Sequence, residues 1–449
     1  MTGGTRKSLY RVHSWLGLNL GLLAFVLCLS GTIAVFGPEL TWLTDPAYRV
    51  DPPPAAERKA LSWQKIHDSV RQAYPDVEIR RIAAPRGDHW AARVLIHHGA
   101  SGLRVVLVDP YSGRVQGQRS TFNAQSFFRL LHKQFYIVPT VQGLHGILIV
   151  GPLGLVLLIS AVTGLLSIKR WWRALVRLRV DQGRGVLWSD LHRFAGTWSL
   201  VVAVVLSVTG VWYLAEWGLH KAEVLTEDAK PARLSAAAIK SLPPSPKVLD
   251  LDQAQALAWR AYPALDTTLV TLPRRMGASL IFQGQAEAWL VRARANQVHL
   301  NPYTGDVLAL RRATDLGAFD RWVETADPLH FGTWGGLVTR IVWLMTGLLL
   351  SGGILAGMYG MWLRRRDNDR VRPRPWAALA AILPTVAVIV AAIQGTLAFG
   401  LAQQQRAQIA SETLAPVPDL TPGFILLIVL FTGLALAPAG FWTLLRLRS

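Results

Sequence analysis

The sequence has a single cysteine, Cys28, in 449 residues. One thiol excludes an internal disulfide and any zinc or iron–sulfur centre built on cysteines. Charge is scarce too. Only 17% of residues are charged against 51% hydrophobic, far from the balance of a soluble chain of two or three domains. There is no glycine-rich phosphate loop, no dinucleotide fingerprint and no nucleophilic triad signature, so NAD(P)H and flavin have no motif-marked site. Acidic residues are outnumbered 28 to 47 by Lys and Arg, a net charge of +19. Much of that excess flanks apolar blocks, so it reads as membrane topology and no nucleic-acid partner is expected. The N-terminus has Arg6, Lys7 and Arg11 before an apolar run, but no A-x-A cleavage site. The run ends at Gly37-Pro38-Glu39 and reads as an uncleaved first span.

Six blocks reach the roughly 20 residues a helix needs to cross a bilayer: 12–36, 144–168, 191–217, 337–363, 376–401 and 423–445. Arg6, Lys7 and Arg11 precede the first. Lys169, Arg170, Arg173, Arg177, Arg179 and Arg184 follow the second. Arg364, Arg365, Arg366, Arg370, Arg372 and Arg374 follow the fourth, and Arg446 and Arg448 close the chain. Alternating spans put all four groups on one side, and the positive-inside rule makes that side cytoplasmic. Both termini are then inside, and 38–143, 218–336 and 402–422 are outside.

The chain repeats itself. Ala73-Tyr74-Pro75 and Asp109-Pro110-Tyr111-Ser112-Gly113 in the first large outer segment return as Ala261-Tyr262-Pro263 and Asn301-Pro302-Tyr303-Thr304-Gly305 in the second. Each unit opens with a helical pattern, 63–73 and 251–261, and continues in alternating strands, 91–96 and 288–293. Each reads as a small α+β domain. The spans repeat as well. His13 is followed by Gly17 and later Gly31, and His192 by Gly196 and Gly210, at identical spacing.

Five histidines gather at span entrances: His13 and His192 inside, His132, His145 and His330 outside. Neutral imidazole is the usual axial ligand of a b-type haem in a helical bundle. A haem with both axial positions filled needs two histidines on facing helices at similar depth, and the repeat gives His13 and His192 that relation. Gly17 and Gly196 lie on the same helix faces and leave room for a flat macrocycle, although glycines also let helices pack closely. On the outer side His330 is expected to pair with either His132 or His145. Those two are too far apart on a continuous helix to share one iron. Intramembrane charge is sparse, with Glu216 the main acidic candidate, which argues against a transporter.

The His13-Ser14-Trp15-Leu16-Gly17 opening, the Asp190-Leu191-His192-Arg193 entry to span three, the Pro328-Leu329-His330-Phe331-Gly332-Thr333-Trp334 approach to span four and the two Asp/Asn-Pro-Tyr-Ser/Thr-Gly turns together resemble the PepSY-associated transmembrane family. That family includes iron-regulated inner-membrane proteins and periplasmic ferric-siderophore reductases. The resemblance covers about residues 8–370. Joined to the six apolar blocks read above, it gives the expected fold, an all-α membrane bundle of six transmembrane helices with two small periplasmic α+β PepSY-like domains. The divisions are then a first helix in 1–37, outer domains in 38–131 and 218–329, further helices in 132–168, 191–217 and 330–363, basic loops in 169–190 and 364–375, and two more helices in 376–449. It also implies location in a bacterial inner membrane, two haem b groups held by His13, His192, His132 or His145, and His330, and one-electron reduction of a ferric siderophore or similar chelate in the periplasm. A quinol or a cytosolic reductant would be the donor, and a cleft between the outer domains would dock the chelate. A different reading makes the PepSY modules a membrane-anchored binding or regulatory device acting on a periplasmic peptidase, without redox activity.

Reporter fusions test the orientation. Fusions after Arg184 and after Arg366 are expected to report cytoplasm, and fusions near Ser101 and Gln283 periplasm. A cytoplasmic signal at Ser101 overturns the arrangement.

Overall fold

The structure, a computed structural model, describes residues 3–99, 102–136, 145–224, 231–244, 246–366, 382–383, 385–391, 393–396 and 421–447. In chain order the helices are α1 (Gly3–Ala34), α2 (Gly37–Thr44), α3 (Trp63–Ala73), α4 (Ala124–Gln134), α5 (Ile147–Ser167), α6 (Arg184–Trp198), α7 (Leu200–Lys221), α8 (Ala236–Lys240), α9 (Leu251–Ala261), α10 (Ala318–Phe331), α11 (Gly336–Arg366) and α12 (Pro422–Leu447). Among the described residues five of these, α1, α5, α7, α11 and α12, are long and apolar enough to cross a membrane. A shorter apolar helix, Thr385–Thr396, falls within the expected fifth span. The rest of that span, and Arg370, Arg372 and Arg374 before it, lie outside the described residues.

The expected third span is two helices rather than one. α6 ends at Trp198 and α7 begins at Leu200, with Ser199 between them donating its hydroxyl to the Ala195 carbonyl. That back-bond is a common way for a serine to bend a helix. Spans two and four are α5 and α11, close to the expected 144–168 and 337–363, and His132 and His330 lie ahead of them on short separate helices, α4 and α10. α4 packs back on α1, and α10 on α7.

The outer segments supply strands β1 (Glu78–Ala83), β2 (Ala92–His98), β3 (Gly102–Val108), β4 (Val115–Ser120), β5 (Asp266–Thr271), β6 (Leu280–Gln285), β7 (Asn296–Leu300) and β8 (Val307–Arg311). They form a single antiparallel sheet in the order β4-β3-β2-β1-β5-β6-β7-β8. The two repeats therefore contribute four strands each to one continuous sheet. Arg81 faces Thr271, Ile82 faces Val270 and Ala83 faces Leu269 across the junction. Separate units would each expose an unpaired strand edge, and pairing β1 with β5 removes both. The expected cleft between the domains is thus a hydrogen-bonded ladder.

Alternation along the strands sets the two faces of the sheet. Ile82, Val94, Ile96, Val106, Val270, Phe282 and Val298 join α3 and α9 in one core. Ser62 caps α3 by accepting from the Lys65 amide, and Asp250 caps α9 by accepting from Asp252 and Gln253. The helices are tied to each other through Gln64, whose side-chain oxygen accepts from the Leu251 amide at 2.9 Å. The repeated turns work alike. Asp109 accepts from the Tyr111 amide at 2.9 Å and Asn301 from the Tyr303 amide at 3.0 Å, while Gly113 and Gly305 take positive φ. The opposite face of the sheet, carrying Arg81, Arg93, Leu95, Val105 and Leu269, turns toward α2 and α4. At the membrane boundary Arg340 of α11 donates to Glu39 of α2 and to the Val35 carbonyl, clamping the outer ends of the two repeats.

Ile82 is fully buried at the junction. Ile82→Ala is expected to cost about 2–5 kcal/mol. Amide hydrogen exchange should then quicken in both β2 and β6. Faster exchange confined to the first four strands would mean that the repeats fold as separate units.

Candidate functional site

The structure brings His13 and His192 together. Their Nε2 atoms stand 3.4 Å apart and their ring centroids 5.7 Å, with the planes inclined at 50°. Each ring is oriented from behind. His13 Nδ1–H donates to the Ser160 carbonyl of α5 at 2.9 Å, and His192 Nδ1–H to the Gly353 carbonyl of α11 at 2.8 Å. A carbonyl only accepts, so Nδ1 carries the hydrogen in both rings. The two facing Nε2 atoms of the neutral rings are then both lone pairs. Two acceptors at that distance repel unless an electrophile stands between them. A first-row metal bonds imidazole nitrogen at about 2 Å, so a shared ion would hold the two nitrogens about 4 Å apart. The rings need to part only slightly to meet that spacing.

The outer pair is His132 and His330, with centroids 5.9 Å apart and planes inclined at 46°, close to the inner geometry. His132 Nδ1–H donates to the Leu27 carbonyl of α1 at 2.9 Å. His330 Nδ1 lies 2.8 Å from Thr209 Oγ1, whose own hydrogen goes to the Val205 carbonyl at 2.7 Å. The Thr209 oxygen therefore accepts and His330 Nδ1 donates. All four rings share one tautomer, with Nδ1 hydrogen-bonded behind and Nε2 left as the lone pair, as in metal-ligating histidines.

His145 was an open alternative to His132, and the structure places it elsewhere. Its ring packs on Trp217 at 5.0 Å, and it does not line the outer cavity. It precedes the first turn of α5, whereas His132 sits on α4, the helix that packs against α1. Trp334 lies against Trp289 and Trp343, and Phe331 lines the outer cavity.

Both pairs border cavities, about 460 Å³ for the inner and about 340 Å³ for the outer, within the size range of small-molecule and cofactor pockets. Glycines line both. A Cβ at Gly17, Gly196 or Gly210 would meet nothing within 4 Å, so these face open space. A Cβ at Gly31 would lie 2.5 Å from His132 Cε1, at Gly164 3.1 Å from His13 Cε1, and at Gly357 2.6 Å from His192 Nδ1. Sequence pattern found the first group through the His-x-x-x-Gly repeat. It missed Gly164 and Gly357, although they are as far apart in sequence as Ser160 and Gly353, whose carbonyls hold the inner rings. That shared offset is a second trace of the duplication.

Cationic side chains edge each cavity: Lys169, Arg193 and Arg364 inside, Arg129 and Lys133 outside. Asp190, just before His192, is held by Arg179 in a two-pronged contact at 2.8 Å per arm. The hydrogen bond from Arg179 keeps its carboxyl below the usual range. On the outer side Tyr213 meets His330 edge-on at 5.1 Å and donates to Asp327 at 2.6 Å. Arg292 joins Asp327 to Glu324, which is 0% exposed and shared with Arg294 and Arg311. This network links the last strands of the sheet to the helix that bears His330. Such a chain of charges across an irregular segment leaves no periodic mark in sequence.

Among the described residues no three or more His, Cys, Asp or Glu side chains gather as a metal site. Two imidazoles alone make a poor cage. A group that brings its own equatorial donors fits this donor set, and the glycine-lined space beside each pair suits a planar one.

Gly31→Ala and Gly357→Ala force a ring to move and are expected to cost about 1–3 kcal/mol. Gly17→Ala, facing open space, should leave the thermal unfolding midpoint unchanged. Equal midpoints for all three would refute the close approach of these glycines to the rings.

No curated protein matches the chain. A family model described as the PepSY-associated TM region matches residues 10–365, most of the chain, and the chain belongs to that family.

Proposed function

We propose that this member of the PepSY-associated transmembrane family is a haem b electron carrier that passes single electrons across the bilayer to a ferric siderophore, or a similar ferric chelate, on the outer side. The observation that carries the reading is a close pair of histidines found twice, each ring fixed by a hydrogen bond at Nδ1, with the Nε2 lone pairs facing each other in the inner pair. His13 with His192, and His132 with His330, would hold one haem each. Lys169, Arg193 and Arg364, and on the outer side Arg129 and Lys133, would meet the carboxylates of the macrocycle. Haem b, when bound, supplies a one-electron couple whose potential the axial ligands and burial tune.

The chain's own part is orientation and insulation. Ser160, Gly353, Leu27 and Thr209 fix the imidazole planes. Apolar walls exclude water and keep the four rings neutral. Along α1 the inner ligand His13 and the glycine beside the outer ligand, Gly31, are eighteen residues apart, about 27 Å of helix rise. The two sites would thus divide the crossing into shorter steps. A quinol or a cytosolic reductant is the donor. A quinol becomes a quinone by giving up two electrons and two protons, and each electron converts one Fe(III) to Fe(II). Hard oxygen donors bind Fe(II) much less tightly than Fe(III), so reduction loosens the chelate.

The absorption spectrum of the purified protein before and after dithionite is the first test. A Soret band is expected, with His13→Ala and His192→Ala each losing the same half of the haem while the protein still inserts. His330→Ala and His132→Ala should abolish ferrozine-detected Fe(II) formation from a ferric siderophore by prereduced protein, and His145→Ala should be mild. Normal colour from His330→Ala sinks the outer site as the exit for electrons. A protein without a Soret band would favour a PepSY module that binds a periplasmic peptidase.

A further inference from the structure

On the membrane-facing side of the sheet a cavity of about 230 Å³ lies between β1, β2 and β5 on one side and α2 and α4 on the other. Arg81 and Arg93 enter it from the sheet, beside Tyr48 and Trp90. Alternation dictates this: their neighbours Ile82, Ala92 and Val94 are spent on the helix-covered core. Arg86 stands within Coulombic range of Arg93 and Arg340.

The acidic side chains of this region form their ion pairs with other arginines. Glu39 is occupied by Arg340, and Asp45 by Arg119 at 2.9 Å. Among the described residues no carboxylate pairs with Arg81, Arg86 or Arg93, although Arg93 is half-buried. Arg86 is exposed and lies within Coulombic range of Glu39 as well, whereas burial brings the half-buried Arg93 guanidinium below its usual range. Gathered guanidinium groups without a carboxylate are costly to desolvate, and a multivalent anion relieves that cost.

Position gives the cavity a use. Gln125, which lines it, is on the same helix as His132. Seven residues of α4 separate them, about 10 Å of rise.

We propose that this cavity is the docking site for the electron acceptor, and that the acceptor is an anionic ferric chelate presenting carboxylate or catecholate oxygens to Arg81 and Arg93. The proposal rests on the electron-transfer reading above and adds where the chelate sits and what charge it bears. The cavity is smaller than a whole chelate needs. The oxygen-rich edge of the ligand enters, and the bulk stays outside the sheet. One electron passes from the outer site to Fe(III), giving Fe(II), with no bond made and no proton moved at this site.

Gallium(III) citrate, a redox-inert stand-in for ferric citrate, separates docking from electron transfer. Calorimetric titration of the full-length protein in detergent should show binding that weakens with added salt. The Arg81→Gln/Arg93→Gln protein should bind about tenfold more weakly, as loss of charge-assisted hydrogen bonds dictates. Arg93→Lys should restore most of the affinity. Arg81 is exposed, so Arg81→Gln alone folds, and it must also weaken binding if the double variant fails to accumulate. In dithionite-reduced protein the same changes should slow oxidation by ferric citrate and not by a small neutral oxidant. Unchanged gallium citrate affinity in the variants overturns the proposal. So does an arginine-dependent site that takes phosphatidylglycerol and no gallium citrate. A protein that lacks haem yet binds gallium citrate through these arginines would sink the electron-transfer reading and leave the docking site standing.

Discussion

Everything in the bundle depends on two imidazole nitrogens that face each other with nothing to donate. Once Nδ1 of each ring has given its hydrogen to an oxygen behind it, the forward nitrogens are lone pairs, and they repel. Helix carbonyls, a threonine hydroxyl and a set of glycines fix four rings in this one tautomer, and that is the ground for the proposed haem sites. Burial works in the same direction. A ring removed from water is hard to protonate, and protonation is the other way in which the repulsion would be relieved.

Duplication explains how the arrangement came to be nearly symmetric. α1 and the α6–α7 pair bring the inner histidines, and the short helices before α5 and α11 bring the outer ones. Each inner ring leans on the long helix that follows its own outer segment: His13 on α5, His192 on α11. Each outer ring leans on the helix that opens its repeat: His132 on α1, His330 on α7. The same two-fold relation runs through the sheet, where β1 and β5 meet at the centre. The halves differ in their attachments. Arg292, Glu324 and Asp327 bind the second outer unit to α10, while Glu39 and Arg340 bind α2 to α11.

Five of the six span positions, the repeat and the inner pair were legible in the sequence because each rests on a long-range regularity: apolar blocks of bilayer length, a turn motif seen twice, and a His-to-Gly spacing seen twice. The choice between His132 and His145 was not legible. It turns on whether the helix carrying each residue packs back against α1, and local pattern is silent on that. The single sheet was hidden for a related reason. Strand alternation in β1 and β5 reports which face is buried, not which strand lies alongside. The break at Ser199 was missed because an apolar run reads the same whether one helix or two carry it.

The arginines on the sheet show what such local reading leaves behind. By alternation Arg81 and Arg93 fall on the polar half of their strands. In the folded chain that half faces α2 and α4, because the sheet lies over the outer ends of the membrane helices. A polar face turned toward the membrane boundary either finds acidic partners or waits for an anion. Here the nearest carboxylates are engaged by Arg340 and Arg119, two arginines from outside the strand pair that carries Arg81 and Arg93. The positive charge is therefore left over by the pattern of pairing, and it is left beside the helix that reaches the outer histidines.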